Sequence, residues 1–339
     1  MLSEKGRKGK RIVSRRTDPK KPAEYGMTIE QAFDYFVTLK KTEGLRPRTM
    51  EDYPVLFEYF TEWLAEAYPD VTYIDDITTG MIREYSVYLS EERFNDKTGG
   101  YGLSPYTVNI RIRFLKVFFR ALFTEELIDK DPAANVKLMR VDEDTFEPLT
   151  DKEILKLLDA PDVREYAQFR DKVAMSLILD TGMRVNEVFS LEVSEIDFKT
   201  RSIMLPASKN KNRKPRIIPL SNTVLKLLLE LITENKVHFD SEYVFLSNFG
   251  ERYNSNSFRS RLRIYKDLAG IEKRVSPHAL RHQFCRDYIM NGGDIFTLQR
   301  IVGHADIQTT RKYVQMTGVD IQSQHSLYSP IVRLRNKHR

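Results

Sequence analysis

The sequence predicts a two-domain protein, mostly α-helical, with a small antiparallel sheet confined to the second domain, an α+β arrangement. Three observations carry this. Apolar residues recur at helical spacing behind recognisable caps across residues 27–130, the region from Ile196 to Leu220 alternates as strands do, and a polar segment at 131–147 separates the two patterns. At 339 residues and 41% hydrophobic, the chain is long enough for each domain to have its own core.

Residues 1–26 read as a basic flexible tail, and the first domain follows over 27–130. Thr28-x-x-Gln31 is a capping box, and Ile29, Phe33, Phe36, Val37 and Leu39 continue it as a helix. Arg48 to Tyr68 forms a second helix and Thr79 to Phe94 a third, while Ser104-Pro105 caps a fourth that reaches about Glu126. Four helices without strands make a small bundle, with Asp96 to Gly102 as the loop between the third and fourth. In the fourth, Asn109, Arg111, Arg113 and Lys116 alternate with Val108, Ile110, Phe114, Leu115 and Phe118, which predicts one basic face and one buried face. An ordinary amphipathic surface and a DNA-facing one fit that pattern equally well.

The linker, 131–147, contains Asp142-Glu143-Asp144, and reads as a hinge. Thr150-x-x-Glu153 then opens the second domain, 148–320, with another capping box. Ile196 to Leu205 is a strand, turn and strand around Lys199 and Thr200, Arg216 to Leu220 is a third strand, and the remainder is helical. Residues 321–339 form a carboxyl tail in which Ile321, Leu327, Ile331, Val332 and Leu334 offer apolar surface.

Charge narrows the partners. The net charge is +6, yet residues 1–21 alone hold nine Lys or Arg against Glu4 and Asp18, leaving about −1 for the rest. Residues 199–229 carry eight cations and no acid, and residues 252–286 nine against two, stretches suited to a phosphate backbone. No apolar run approaches bilayer-spanning length, and Met1 to Lys21 is too charged for a signal-peptide apolar region. The single Cys285 excludes an intramolecular disulfide framework and a cysteine-rich zinc site. The expected compartment is the cytoplasm, in association with the nucleoid, and no membrane partner is expected.

The chemistry concentrates in the order Arg184, Lys211, His278, Arg281, His304, Tyr313. Two guanidinium forks match the oxygens of one phosphate. Histidines donate to the same group or move protons near neutral pH. A loop lysine can protonate a leaving oxygen, and a tyrosine can attack phosphorus. Such a scheme needs no metal and no cofactor. Ser276-Pro277 starts a helix on whose first turn His278 and Arg281 share one face. Glu187, three residues after Arg184, is placed to hold that arginine or a neighbour, and His282 reads as packing beside the site.

The wording around these residues is tighter than their types. Thr181-Gly182-Met183-Arg184-Val185-Asn186-Glu187, His278-Ala279-Leu280-Arg281-His282, Val302-Gly303-His304 and Thr309-Thr310-Arg311-Lys312-Tyr313 resemble, in order and spacing, the signature boxes of the tyrosine recombinase (phage integrase) family. The resemblance is strong over 148–320 and looser over 27–132. It implies a C-shaped clamp of two domains around double-stranded DNA, with the first acting as a SAM-like core-binding domain. It implies Tyr313 as nucleophile, Arg184, Arg281, His278 and His304 on the scissile phosphate, and a hairpin lysine as general acid. Lys211 is the first choice for that acid and Lys209 the competitor. Arg48, Arg111, Arg113, Lys209 and Arg213 are the expected DNA contacts.

The resemblance further implies a homo-tetramer on two duplexes, strand exchange through a Holliday junction, and accessory DNA-bending or directionality proteins. The short amino-terminal tail favours a resolvase, Xer-like or transposon type over the larger phage integrases. Two other readings remain open: a type IB topoisomerase that nicks and reseals one duplex, and a DNA-binding regulator on the same fold. The regulator reading expects lost catalytic residues, and all six are present.

Overall fold

The computed structural model describes residues 26–96, 98–141, 147–210 and 212–304, with 306, 307, 310, 325, 326, 329 and 331 beyond them. The chain divides into two compact units, residues 1–143 and 144–339. Both are mostly helical, and each described sheet is small and antiparallel.

The first unit comprises α1 (Ile29–Thr42), α2 (Pro47–Ala67), α3 (Thr79–Val87) and α4 (Pro105–Thr124). The Thr28 capping box forms as expected, with the Thr28 hydroxyl and Gln31 side chain satisfying each other's backbone N–H groups. Phe36, Phe60, Tyr85, Phe118 and Phe119 are fully buried at the centre, and the Phe33 and Phe57 rings stack at 3.9 Å. Such aromatic packing supplies large buried area with defined orientations.

The third helix stops short of the expected Phe94. It passes at Val87 into a π-helical turn, Tyr88–Glu92, and then into a hairpin of β1 (Phe94–Asn95) and β2 (Gly100–Tyr101). Gly102 makes this possible. At φ 86 it donates to the Arg93 carbonyl, and any Cβ there would sit 2.3 Å from the Ser90 carbonyl oxygen, so only glycine lets the hairpin return this closely.

The fourth helix also differs from its expected polarity. Arg111 is 7% exposed, with its guanidinium 3.8 Å from the Tyr59 ring centroid, and Asn109 is buried as well. Asn109 donates to the Met139 carbonyl at 2.9 Å and accepts from the Met139 N–H at 2.8 Å. The Lys116 ammonium donates to the carbonyls of Ala133, Ala134 and Val136 at 2.7, 3.0 and 2.9 Å. The polar residues of α4 therefore fasten residues 133–139, the first part of the expected linker, onto the bundle. Its exposed stripe is Tyr106, Ile110, Arg113, Val117 and Arg120.

The second unit is built on α6 (Tyr166–Thr181), whose Val173, Ala174, Met175, Leu177 and Ile178 are fully buried. Before it lies α5 (Asp151–Asp159), opened by the Thr150–Glu153 box, and after it α7 (Val185–Val188). Strands β3 (Ile196–Asp197), β4 (Ser202–Leu205) and β5 (Arg216–Pro219) form one antiparallel sheet in that order, with Ile203 opposite Ile218 and Leu205 opposite Arg216. Ile203, Leu205, Arg216 and Ile218 are buried, while Met204 and Ile217 face out, the alternation that pleating requires. Helices α8 (Asn222–His238), α9 (Ser255–Leu268), α10 (Pro277–Met290) and α11 (Ile295–Val302) complete the unit, with α8 and α10 packed on α6 and α11 on β5.

Lys116→Met should remove three charge-assisted hydrogen bonds and loosen residues 133–139, costing about 2 kcal/mol because some freed carbonyls regain water. Trp63 is the single tryptophan and lies in this unit's core, so urea unfolding followed by its fluorescence reads the effect. An unchanged midpoint would mean that the lysine is dispensable.

Candidate active site

Two arginines are held by the ends of helices. Helix α6 terminates at Gly182 in the left-handed conformation, φ 63, and α11 terminates likewise at Gly303, φ 64. Helix C-termini carry carbonyls without intrahelical partners and a partial negative charge. Arg281, 3% exposed on α10, donates to the Gly182 carbonyl through Nη1 and to the Val302 carbonyl at 2.9 Å through Nη2. Arg184 donates through Nη2 to the Gly303 carbonyl at 3.1 Å. The two forks are thus brought together at the end of α11, which both use, while Arg281 also holds the end of α6.

Arg184 is also the N-cap of α7, and Glu187 stands at its third position. Glu187 Oε2 accepts from the Arg184 backbone N–H and Oε1 from its Nη1, both at 2.9 Å. A second partner was not expected. Arg216, at the start of β5 and 8% exposed, donates to both Glu187 oxygens, Nη1 to Oε1 at 3.1 Å and Nη2 to Oε2 at 2.6 Å. A signal for it exists in the sequence: Arg216 is in phase with buried Ile218, so the strand's alternation points it inward, where a guanidinium must find hydrogen-bond acceptors or an opposite charge. Burial works to raise the Glu187 carboxyl, but the hydrogen bonds and charge of Arg216, followed by those of Arg184, hold it below the usual carboxylate range.

The histidines border the same cluster. His278 lies on the first turn of α10, and its Nε2 is 2.8 Å from Nε2 of His282 one turn on, with the rings nearly perpendicular. Burial, then the charges of Arg281, Arg184 and Arg274, push His278 below the ordinary imidazole value. His304 follows Gly303, with Nδ1 2.9 Å from the Thr310 hydroxyl oxygen. Burial first, then the charges of Arg281, Arg184, His282 and Arg216, push it down to about 3. Both imidazoles are therefore neutral at pH 7. In the tautomer in which Thr310 donates to Nδ1, His304 carries its proton on Nε2 and offers it as a hydrogen-bond donor.

A cavity of about 1000 Å³ opens beside these groups, and Arg216, Lys214, Arg300, Asn212, Gly303 and His304 contribute to its wall. Asn212 donates to the Gly303 carbonyl at 2.8 Å, the same oxygen that Arg184 uses. Lys211 and Tyr313, the expected general acid and nucleophile, lie outside the described residues. Lys209, the competing acid and an expected DNA contact, is committed elsewhere: its ammonium is 2.7 Å from both Glu192 and Glu195 carboxylates. Burial opposes its charge, but the hydrogen bonds from those two acids prevail and raise it above the ordinary lysine value. Arg213 is exposed on the same hairpin in a left-handed conformation, φ 52. Of the expected DNA contacts in the first unit, Arg113 is exposed, and Arg48 is exposed but paired with Glu51 and Asp52. Arg111 is enclosed in the bundle and cannot present its guanidinium to a duplex.

Residues 147–318, half of the chain, match the phage integrase family, and residues 29–138 match the phage integrase SAM-like domain. The chain belongs to the phage integrase family. Among the relatives of this tyrosine recombinase, XerD of Shewanella oneidensis is 25% identical over 296 residues, covering 86% of this chain and 94% of its own. The Tn1549 transposon integrase, solved in complex with a circular intermediate DNA, superposes with a TM-score of 0.68 at 20% identity, covering 89% and 99% of the two chains. The lambda integrase tetramer bound to a Holliday junction gives 0.66 at 18% identity, covering 86% and 78%.

For this recombinase, the depressed His304 value sets a pH dependence. The folded pKa is about 3 against an unfolded 6.5, so below pH 6.5 the unfolded chain binds the proton that the folded chain refuses, and stability falls with pH. From pH 7 to 5 the loss from His304 should be about 1–2 kcal/mol. Thermal melts of the DNA-free protein across that range should show a smaller decline for His304→Gln. Equal slopes for the two proteins would contradict a neutral His304.

Proposed function

We propose that this protein is a site-specific DNA recombinase that cuts and rejoins double-stranded DNA through a 3′-phosphotyrosyl intermediate. The observation that carries this reading is the anchoring of Arg184 and Arg281 on Gly303, Val302 and Gly182 carbonyls, with the Glu187 carboxylate between Arg184 and Arg216 and two neutral imidazoles beside them. Such an arrangement is a preformed receptacle for one phosphate. Its donors are fixed before charge develops, where electrostatic stabilisation is most effective.

In the proposed mechanism, Arg184 and Arg281 grip the non-bridging oxygens of the scissile phosphate, and His304 donates through Nε2 to the charge that grows on them. Tyr313 attacks phosphorus while His278, held neutral by its surroundings, takes the phenolic proton. Lys211 protonates the departing 5′ oxygen. The phosphotyrosine conserves the bond energy, so a 5′-hydroxyl from another duplex can reseal the strand without a metal or a nucleotide. Four protomers would exchange strands in two rounds through a Holliday junction, with accessory proteins setting direction. Helix α4 would offer Tyr106, Ile110, Arg113, Val117 and Arg120 to the duplex. With DNA as substrate, the protein acts in the cytoplasm at the nucleoid.

Tyr313→Phe should bind DNA as the unaltered protein does, yet leave no covalent adduct on a nicked suicide substrate resolved under denaturing conditions. A 3′-linked adduct from this variant would place the nucleophile elsewhere.

Lys211→Ala should cleave an ordinary substrate more slowly by roughly two to four decades, the range of proton-transfer catalysis. A 5′-bridging phosphorothiolate, whose sulfur leaves without a proton, should restore most of that rate. Lys209→Ala, which breaks the pairs with Glu192 and Glu195, should show no such selective rescue. Rescue with Lys209→Ala in place of Lys211→Ala would transfer the acid role to Lys209.

A further inference from the structure

Among the described residues Glu187 is the single acid bonded within a cluster of three arginines, and the way its charge is divided decides what Arg184 can do. Each of its oxygens accepts one hydrogen bond from Arg184 and one from Arg216. The carboxylate side chain is 3% exposed and that of Arg216 6%, so neither charge is relieved by water. A buried carboxylate deprived of one partner turns fully to the other, because an uncompensated buried charge is strongly unfavourable. Without Arg216, the remaining partner is Arg184. Its guanidinium would then be drawn toward Glu187 and its positive charge largely cancelled. With Arg216 present, Arg184, Arg281 and Arg216 against one carboxylate leave the cluster at +2, enough for a phosphodiester and the charge that grows on it.

Arg216 is also tied to the other elements of the site. A Cβ built on Gly303 would lie 2.8 Å from Arg216 Nη1, so the guanidinium passes directly beside the residue that precedes His304. It stands at the base of the β4–β5 hairpin, whose Asn212 donates to the Gly303 carbonyl. The hairpin that carries the lysine is thus joined to the arginine cluster at its tip through Asn212 and at its base through Arg216.

We propose that Arg216 is a positioning residue for strand cleavage: by holding half of the Glu187 carboxylate it leaves the positive charge of Arg184 uncancelled and directed at the scissile phosphate. The inference rests on the recombinase reading, and the experiment separates the two. Single-turnover cleavage of a nicked suicide substrate is measured beside DNA affinity and melting temperature for Arg216→Gln, Arg216→Lys, Glu187→Gln and the double variant R216Q/E187Q.

Formation of a Tyr313-dependent adduct by the unaltered protein tests the reading itself. Given that adduct, R216Q should cleave at least roughly tenfold more slowly, short of the about 100-fold typical for losing a donor that touches the developing charge. DNA affinity should change little, because one phosphate contributes only a small part of a duplex contact. R216K, which restores the charge without the fork, should be intermediate. The double variant should recover most of the lost rate, since no carboxylate remains to capture Arg184. A double variant no faster than R216Q, or an R216Q that cleaves at the unaltered rate, would overturn the proposal. Should R216Q not fold, R216K against R216K/E187Q gives the same comparison, and absence of recovery there overturns it equally.

Discussion

The second unit depends on how it buries positive charge. Arg216 and Arg281 are almost entirely enclosed and Arg184 partly so, yet among the described residues a single carboxylate, Glu187, is bonded to them. It serves Arg184 and Arg216, while Arg281 is held wholly, and Arg184 in part, by peptide carbonyls at Gly182, Val302 and Gly303, where α6 and α11 end. Carbonyls satisfy guanidinium donors without cancelling net charge, so the cluster is stable as a structure and still short of anions. Replacing those carbonyls by carboxylates would make tighter ion pairs and leave nothing for a phosphate to bind.

The same constraint explains the two glycines. A left-handed residue ends each helix and exposes the last carbonyls, and close approach forbids a side chain at either position. A Cβ on Gly182 would meet the Phe284 ring at 2.4 Å, and one on Gly303 would meet Arg216 at 2.8 Å. Glycine in the Thr181-Gly182 and Val302-Gly303 boxes is therefore required by the geometry of arginine anchoring as well as by helix termination.

Much of this was legible in the sequence because it is local. The Thr28 and Thr150 capping boxes, the Ser104-Pro105 and Ser276-Pro277 helix starts, and the alternation through Ile203 and Ile218 are set by residues within one turn or one pleat of each other. Glu187 was recognisable as support for Arg184 because the pair is three apart on one helix. The parts that were not legible depend on partners far away in the chain. Asn109, Arg111 and Lys116 look like a solvent-facing polar set until Met139, Tyr59 and the carbonyls of residues 133–136 arrive to bury them. The hairpin at Phe94–Tyr101 depends on Gly102 fitting against Ser90. Arg216 and Glu187 are 29 residues apart, and only the fold of the sheet onto α7 makes them neighbours.

Burial and the surplus of positive charge together keep the histidines neutral. Burial comes first and repulsion of a cationic imidazole by Arg281 and Arg184 second, so that His304 is held far below its ordinary value and His278 below its own. A bound phosphate would weaken that repulsion, because its negative charge favours protonation of any imidazole touching it. Under the proposed mechanism the site would change its own proton affinity on binding DNA: His278 would enter as a base in the empty site and become easier to protonate once a phosphate is present. The proton released by an attacking tyrosine would then arrive when the imidazole is best able to hold it, so that coupling between the arginines and the histidine would replace the need for a separately tuned base.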